Sequence, residues 1–331
     1  MPKTSSEPAA RSAGTTLHGL TMATRWSVTL GDAPMQASEK TSLHAALAAC
    51  VQQIDAQMSP WKQDSDLSRL NRAAVNAWVD LPAEMLAVLA RALEIARQSA
   101  GAFDPTVGAL VEAWGFGATR NRPDPAAIRA ARAVDQAANY ACLELDLDAG
   151  RARKHAAVSI DLCGIAKGYA VDRMAAVVSR HGVRNALVAL DGELRAIGVH
   201  GGGRPWAVAV ESPEPDRRAV HGVVELQDQA IATSGDYRRF WHAGNARIAH
   251  SMDRRQAAPV NNPVASVTVL AAECMDADAW ATALLVAGPG EGLALARRHG
   301  LDALFLIRRD RRWVELGLRR FGPAATAPEP A

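Results

Sequence analysis

The apolar residues of this chain keep changing period, and that constrains its fold more than any single motif does. Leu43, Leu47, Cys50, Val51, Ile54 and Met58 fall on one face of a helix. Leu143, Leu145 and Leu147 instead alternate with Glu144, Asp146 and Asp148, the two-residue period of a half-exposed strand turning at Ala149–Gly150. A second helix is predicted after Pro82, a good first-turn residue, and stops at Gly101; another runs from Ile165 to His181–Gly182. Short strands are predicted at Ala186–Leu190, Trp206–Val210, Val223–Leu226, Ser266–Leu270 and Ala303–Ile307, with a helix over Asp276–Ala287. These elements mix without the strand–helix–strand rhythm of a doubly wound sheet, so the expected class is α+β.

The chain's 331 residues can bury one large core or two ordinary ones. No fixed-period repeat or long linker divides them, and we expect a single domain over residues 16–321. Residues 1–15 and 322–331 are rich in Pro, Ala and small polar residues and read as disordered tails. A formal net charge of +2 leaves no footprint for nucleic acid or an anionic membrane. No apolar run approaches the roughly 18 residues of a bilayer span. The first 15 residues lack the apolar stretch of an export signal. The expected location is cytoplasmic as given, or periplasmic if such a signal has been removed. Cys50, Cys142, Cys163 and Cys274 form no C-x-x-C pair and read as unlinked thiols rather than a zinc or disulfide framework. Walker A, G-x-S-x-G and H-E-x-x-H signatures are all missing, so any enzyme here uses other chemistry.

Four segments concentrate Gly, aromatic and ionisable residues: Met58–Asn71, Gly101–Gly108, Asp161–Asp172 and Asp278–Thr282. In the first, Trp61 sits in a polar stretch, where a flat π-face can stack on a flavin or adenine ring; alone, it reads more readily as a core or capping Trp. Asp104 precedes Pro105, which holds its backbone extended. The glycines of Asp161–Asp172 permit close backbone approach at a helix start, where phosphates are attracted, and Lys167 adds a point charge suited to a pyrophosphate. Asp278 and Thr282, spaced i, i+4, put a carboxylate and a hydroxyl on one helix face, hard donors of the kind Mg²⁺ prefers. That spacing alone is common and usually marks an exposed face. His250, with a pKa near neutrality, is suited to taking a proton from a hydroxyl.

In this order the segments resemble the ApbE family, the FAD:protein FMN transferases, from about Thr21 to Ile307. The resemblance implies a T-fold-like α+β domain of antiparallel or mixed sheets with packed helices. It also implies that FAD is contacted by Met22, Trp61, Ala102, Phe103, Asp104, Lys167, Arg173 and Met252. It places a magnesium ion on Asp278, Thr282, Ala281 and the main-chain oxygen of Ala170, and makes His250 the base. The implied reaction is Mg²⁺-dependent transfer of FMN from FAD to a threonine hydroxyl of an acceptor flavoprotein, with release of AMP. The alternatives are a FAD pyrophosphatase on the same site and a passive FAD-binding protein. Several positions depart from the usual pattern. Ala23 and Cys163 replace glycine or another small residue, and Asp191-Gly192 stands where two glycines are usual. The loop usually written H-x-x-D-P-R-T-G-x-P reads His250-Ser-Met-Asp-Arg-Arg-Gln-Ala-Ala-Pro259. From that loop we expect Ala257 to need a left-handed backbone, and Arg254 and Arg255 to bring two positive charges to the pyrophosphate.

Overall fold

The computed structural model describes residues 15–22, 24–31, 35–214, 217–243, 246–309 and 312–322. The two expected tails lie almost wholly outside these residues, as does Ala23. The main sheet has eight strands: β1 Thr16–Thr21, β2 Thr24–Leu30, β3 Ala186–Leu190, β4 Glu193–Ile197, β5 Ala230–Gly235, β6 Val264–Ala271, β7 Asp302–Arg309 and β8 Arg312–Leu318. Each pairs antiparallel with the next, so spatial order follows chain order and the rest of the chain is inserted between neighbours. Between β2 and β3 come α1 Ala37–Met58, α2 Asp66–Arg72, α3 Ala83–Gln98, α4 Gly108–Ala113, α5 Pro125–Ala137 and α6 Ala166–Arg180. Helix α7, Cys274–Arg298, joins β6 to β7. The α+β class expected from the sequence is the class observed.

The β6 sequence, VASVTVLA, is buried along almost its whole length because both faces of the sheet are covered there. Val267 and Val269 join the main core with the helices. Leu270 clusters instead with Ile231, Leu304 and Leu306 beneath Trp206 and Val208, which belong to an outer two-stranded sheet, Trp206–Glu211 with Val220–Leu226. Pro82 stands at the start of α3, and the chain leaves that helix through Gly101 at φ 79, whose N–H donates to Ala96 O at 2.8 Å.

Helix α7 extends beyond the expected Asp276–Ala287. Gly288, at φ 77 and ψ −178, breaks its path just before Pro289, so two helical pieces meet at a kink. Contrary to the sequence reading, this helix is long and apolar enough to cross a membrane by length and composition. Its charged residues interrupt the apolar run without stopping the helix. Most of its apolar stretch is buried, packed on α6, β5 and β6, as a core helix requires. Its first N–H groups are capped from α6: Asp172 accepts from Cys274 N and Met275 N, each at 2.8 Å, and also pairs with Arg195 at 2.5 Å.

Candidate active site

The glycine-bearing segment before α6 gathers the other segments around it. Asp161 N–H donates to Pro105 O at 2.7 Å and Gly108 N–H to Ser159 O at 2.9 Å, so the second and third segments run side by side. Asn71 clasps Ile160 from both sides, donating to its carbonyl at 2.9 Å and accepting from its N–H at 2.7 Å. Gly164 lies between two of the other segments. A Cβ there would come within 3.1 Å of Thr282 Oγ1 and 3.3 Å of the Phe103 ring, so any larger residue would have to push one of them aside. One turn into α6, Gly168 N–H donates to Asp278 Oδ2 at 3.0 Å.

Lys167 is surrounded by carboxylates. It donates to Glu193 Oε1 at 2.6 Å and stands 3.8 Å from Asp191. Burial alone would favour its neutral form, but Glu193, Asp278 and Asp191 outweigh burial and keep its pKa above the ordinary lysine value. Burial raises both Glu193 and Asp278 above the usual carboxylate range, with Lys167 opposing the rise. Asp191 adopts φ 56, the left-handed backbone that a glycine in its place would take more easily. Its N–H donates to Arg25 O at 3.2 Å, which brings the turn carrying Met22, itself at φ 47, next to Lys167's neighbours.

The donors around Asp278 fit a hard cation. The carboxylate is 3% exposed and Gly168 uses only one of its oxygens, so a cation would relieve the cost of burying its charge. Thr282 Oγ1 lies 2.8 Å from Ser234 Oγ, the next hydroxyl along. Ala170 and Ala281 are fully buried and can offer only main-chain oxygens. Among the described residues no group of three or more His, Cys, Asp or Glu side chains could hold a metal. Such a site would therefore draw on one carboxylate, hydroxyls, carbonyls and phosphate.

His250 follows the hairpin Phe240–Ala243 with Ala246–Ala249. Its Nδ1 lies 3.2 Å from Arg239 O; a carbonyl can only accept, so Nδ1 carries the proton and Nε2 keeps the lone pair. The ring still touches solvent, but protein atoms crowd it, among them Phe116 edge-on at 6.3 Å. Burial, helped by the positive charges of Arg239 and Lys167, pushes its pKa down to about 4. The imidazole is thus a neutral base at physiological pH, within the electrostatic reach of Lys167.

The remaining predicted residues divide. Trp61 is 47% exposed and so is not a core residue. Ala102 and Phe103 are buried, with the Phe103 ring beside Gly164. Asp104 is buried too, and its carboxylate accepts from Thr106 N at 2.8 Å, Thr106 Oγ1 at 2.6 Å and Tyr140 N at 3.1 Å, so it builds the wall rather than facing outward. Met252 is buried among Leu110, Ala113 and Ala131. Arg173 stands apart: it faces Glu84 at 3.9 Å and lines a groove of about 530 Å³ with Tyr169, Arg195 and Met275. Ala257 is left-handed at φ 49, as expected. The two extra arginines, however, do not add charge to a phosphate pocket. Arg254 is buried against Asp104, and Arg255 pairs with Asp253 and Glu291. Sequence reasoning missed Asn71, Gly164 and Ser234 as links between segments. Glu193 was visible only as part of the unusual Asp-Gly-Glu.

This arrangement, a glycine-rich helix start beside a buried acid and a hydroxyl, defines the protein class. The chain belongs to the ApbE family, whose sequence model matches residues 22–305. It is 34% identical over 312 residues to the FAD:protein FMN transferase of Vibrio cholerae O395, covering 93% of this chain and 91% of the relative. The enzyme of the same name from Haemophilus influenzae is 36% identical, with 90% and 88% covered. Among solved structures, the flavin transferase ApbE from Vibrio cholerae superimposes with a TM-score of 0.81 at 33% identity, over 92% of this chain and 96% of that one. The apo flavinyl transferase ApbE of Pseudomonas stutzeri does so equally, at 34% identity over 92% and 94%.

Proposed function

We propose that this chain is a FAD:protein FMN transferase that moves the FMN half of FAD onto a threonine hydroxyl of an acceptor flavoprotein. The observation that carries the reading is Gly164, held between Phe103 and Thr282, which joins the flavin-side segments to the metal-side helix. Trp61 offers a face for stacking, while Phe103 and the α6 start form the floor. Lys167 draws the pyrophosphate to the helix N-terminus. Nε2 of His250 takes the proton from the incoming hydroxyl, whose oxygen bonds to the FMN phosphorus as the bond to the AMP oxygen breaks. Asp278, Thr282 and the main-chain oxygens of Ala170 and Ala281 would hold Mg²⁺, which neutralises pyrophosphate charge when bound. The test is to incubate the protein with FAD, Mg²⁺ and a threonine-bearing acceptor, then weigh the acceptor and assay AMP. An acceptor heavier by one FMN, with equimolar AMP, supports the reading. FMN and AMP without a modified acceptor make it a pyrophosphatase, and no cleavage at all makes it a passive binder.

A further inference from the structure

Arg254 stands where the usual ApbE loop carries proline, and its side chain is 5% exposed. Nη1 donates to Thr106 O at 2.9 Å, Nη2 donates to Ala138 O, and Nε lies 3.5 Å from Asp104 Oδ2. One guanidinium therefore reaches the residue after Phe103, the residue two further on, and the end of α5, among other contacts. The loop is also held from the other direction, since Arg132 on α5 donates to Ala257 O at 3.0 Å. Within it, Met252–Asp253 pairs with Ala258–Pro259, and Asp253 accepts from Arg255 N at 2.9 Å and Gln256 Nε2 at 2.9 Å. His250 leads directly into this small hairpin. Looser backbone chemistry from the missing proline and glycine is thus answered by a planar, charge-assisted clamp to fixed carbonyls.

We propose that Arg254 is a positioning residue, which locks the loop carrying His250 to the Phe103–Asp104 wall and so sets where the base stands relative to bound FAD. This deepens the transferase reading and rests on it. Its neighbour Asp104 has two reasons to need that cation: it is buried beside the wall, and its other partners are neutral donors. Lysine in this place keeps the charge but cannot span two carbonyls and a carboxylate in one plane.

The test compares wild type with Arg254→Lys and Arg254→Ala, all with FAD, Mg²⁺ and a threonine-bearing acceptor. Arg254→Lys should lower the transfer rate at saturating FAD by about tenfold or more, because proton abstraction is sensitive to geometry, while FAD Kd changes less than about threefold. Millimolar guanidinium should restore part of the rate to Arg254→Ala, and ammonium should not. Amide hydrogen exchange over residues 250–259 should quicken in Arg254→Lys. An unchanged rate in Arg254→Lys, or a rate loss matched by the loss of folded protein on melting, overturns the proposal. If wild type itself transfers nothing, the transferase reading falls. The exchange measurement needs no turnover and still decides whether Arg254 holds the loop. Should Arg254→Ala fail to fold, the lysine variant decides alone.

Discussion

Helices α6 and α7 touch at Gly168, and an alanine there would strike backbone rather than side chain. Its Cβ would lie 2.7 Å from the Cys274 carbonyl carbon and 2.8 Å from Met275 Cα. Neither atom can rotate away, so the helices must part by roughly 1 Å to restore ordinary carbon contacts. Overpacking of this kind costs about 1–3 kcal/mol. Parting also stretches the 3.0 Å bond from Gly168 N–H to Asp278. A hydrogen bond to a charged acceptor is worth about 1.5–3 kcal/mol. Alanine returns about 1 kcal/mol of helix propensity, which leaves a net loss of about 1.5–5 kcal/mol. For a chain of this size Gly168→Ala should therefore melt on the order of 5–15 °C lower. Magnesium affinity, measured by calorimetry on the folded variant at low temperature, should fall with it, because Asp278 moves. Gly290→Ala, on α7, is the control: nothing lies within 4 Å of its Cβ, and it should melt no lower than wild type. If Gly168→Ala melts within a degree of wild type and binds magnesium as well, the helix contact does not hold the acid and the argument fails.

Trp61→Ala should weaken FAD by about 1–3 kcal/mol. Melting without FAD should barely move, since the side chain is 47% exposed; a stability loss with unchanged FAD affinity would return Trp61 to the core. Asp278→Ala should abolish FAD cleavage yet keep most FAD binding, and full turnover in that variant or in excess EDTA would remove magnesium from the reaction. His250, with its pKa pushed down to about 4, should leave the transfer rate flat from pH 8 to about 5; a half-maximal point near 6.5 that vanished in His250→Gln would refute this. The same depressed pKa means that the unfolded chain takes up this proton before the folded one does. His250 should therefore cost stability progressively as pH falls from about 6.5 to 4, and not above that range.

The fold class, the helix starting after Pro82 and the strand at Ala186–Leu190 were legible because each depends on neighbours in sequence: an apolar period, a proline, a glycine. Asp278 and Thr282 were legible as a pair only through their motif, since i, i+4 spacing says nothing about what lies opposite. Their links to Gly168 and Ser234 span more than a hundred and nearly fifty positions, and no local pattern announces them. The divergent loop divides the same way. The left-handed Ala257 follows from backbone sterics and was anticipated. The burial of Arg254 depends on Asp104, far away in sequence, and an arginine in a polar stretch otherwise looks solvated. Helix α7 outruns its expected end because a second helical piece resumes at once after the kink at Gly288.

The order of the main sheet has a consequence for synthesis. Strand β2 finds its second neighbour only in β3, with Leu30 paired to Ala186 across about 155 intervening residues. Trp61, Phe103 and the start of α6 all lie within that span. A ribosome adding about 5–20 residues per second therefore leaves β2 without this partner for roughly 8–30 s. Until then a nascent chain holding Trp61, Phe103 and α6 lacks the strands β3 and β4 on which α6 packs, and the loop-closure entropy is met in a single late pairing. Fragments that stop before Ala186 should accordingly bind no flavin, however many of its contacts they contain, and a growing chain stays exposed to chaperones and proteases throughout that interval.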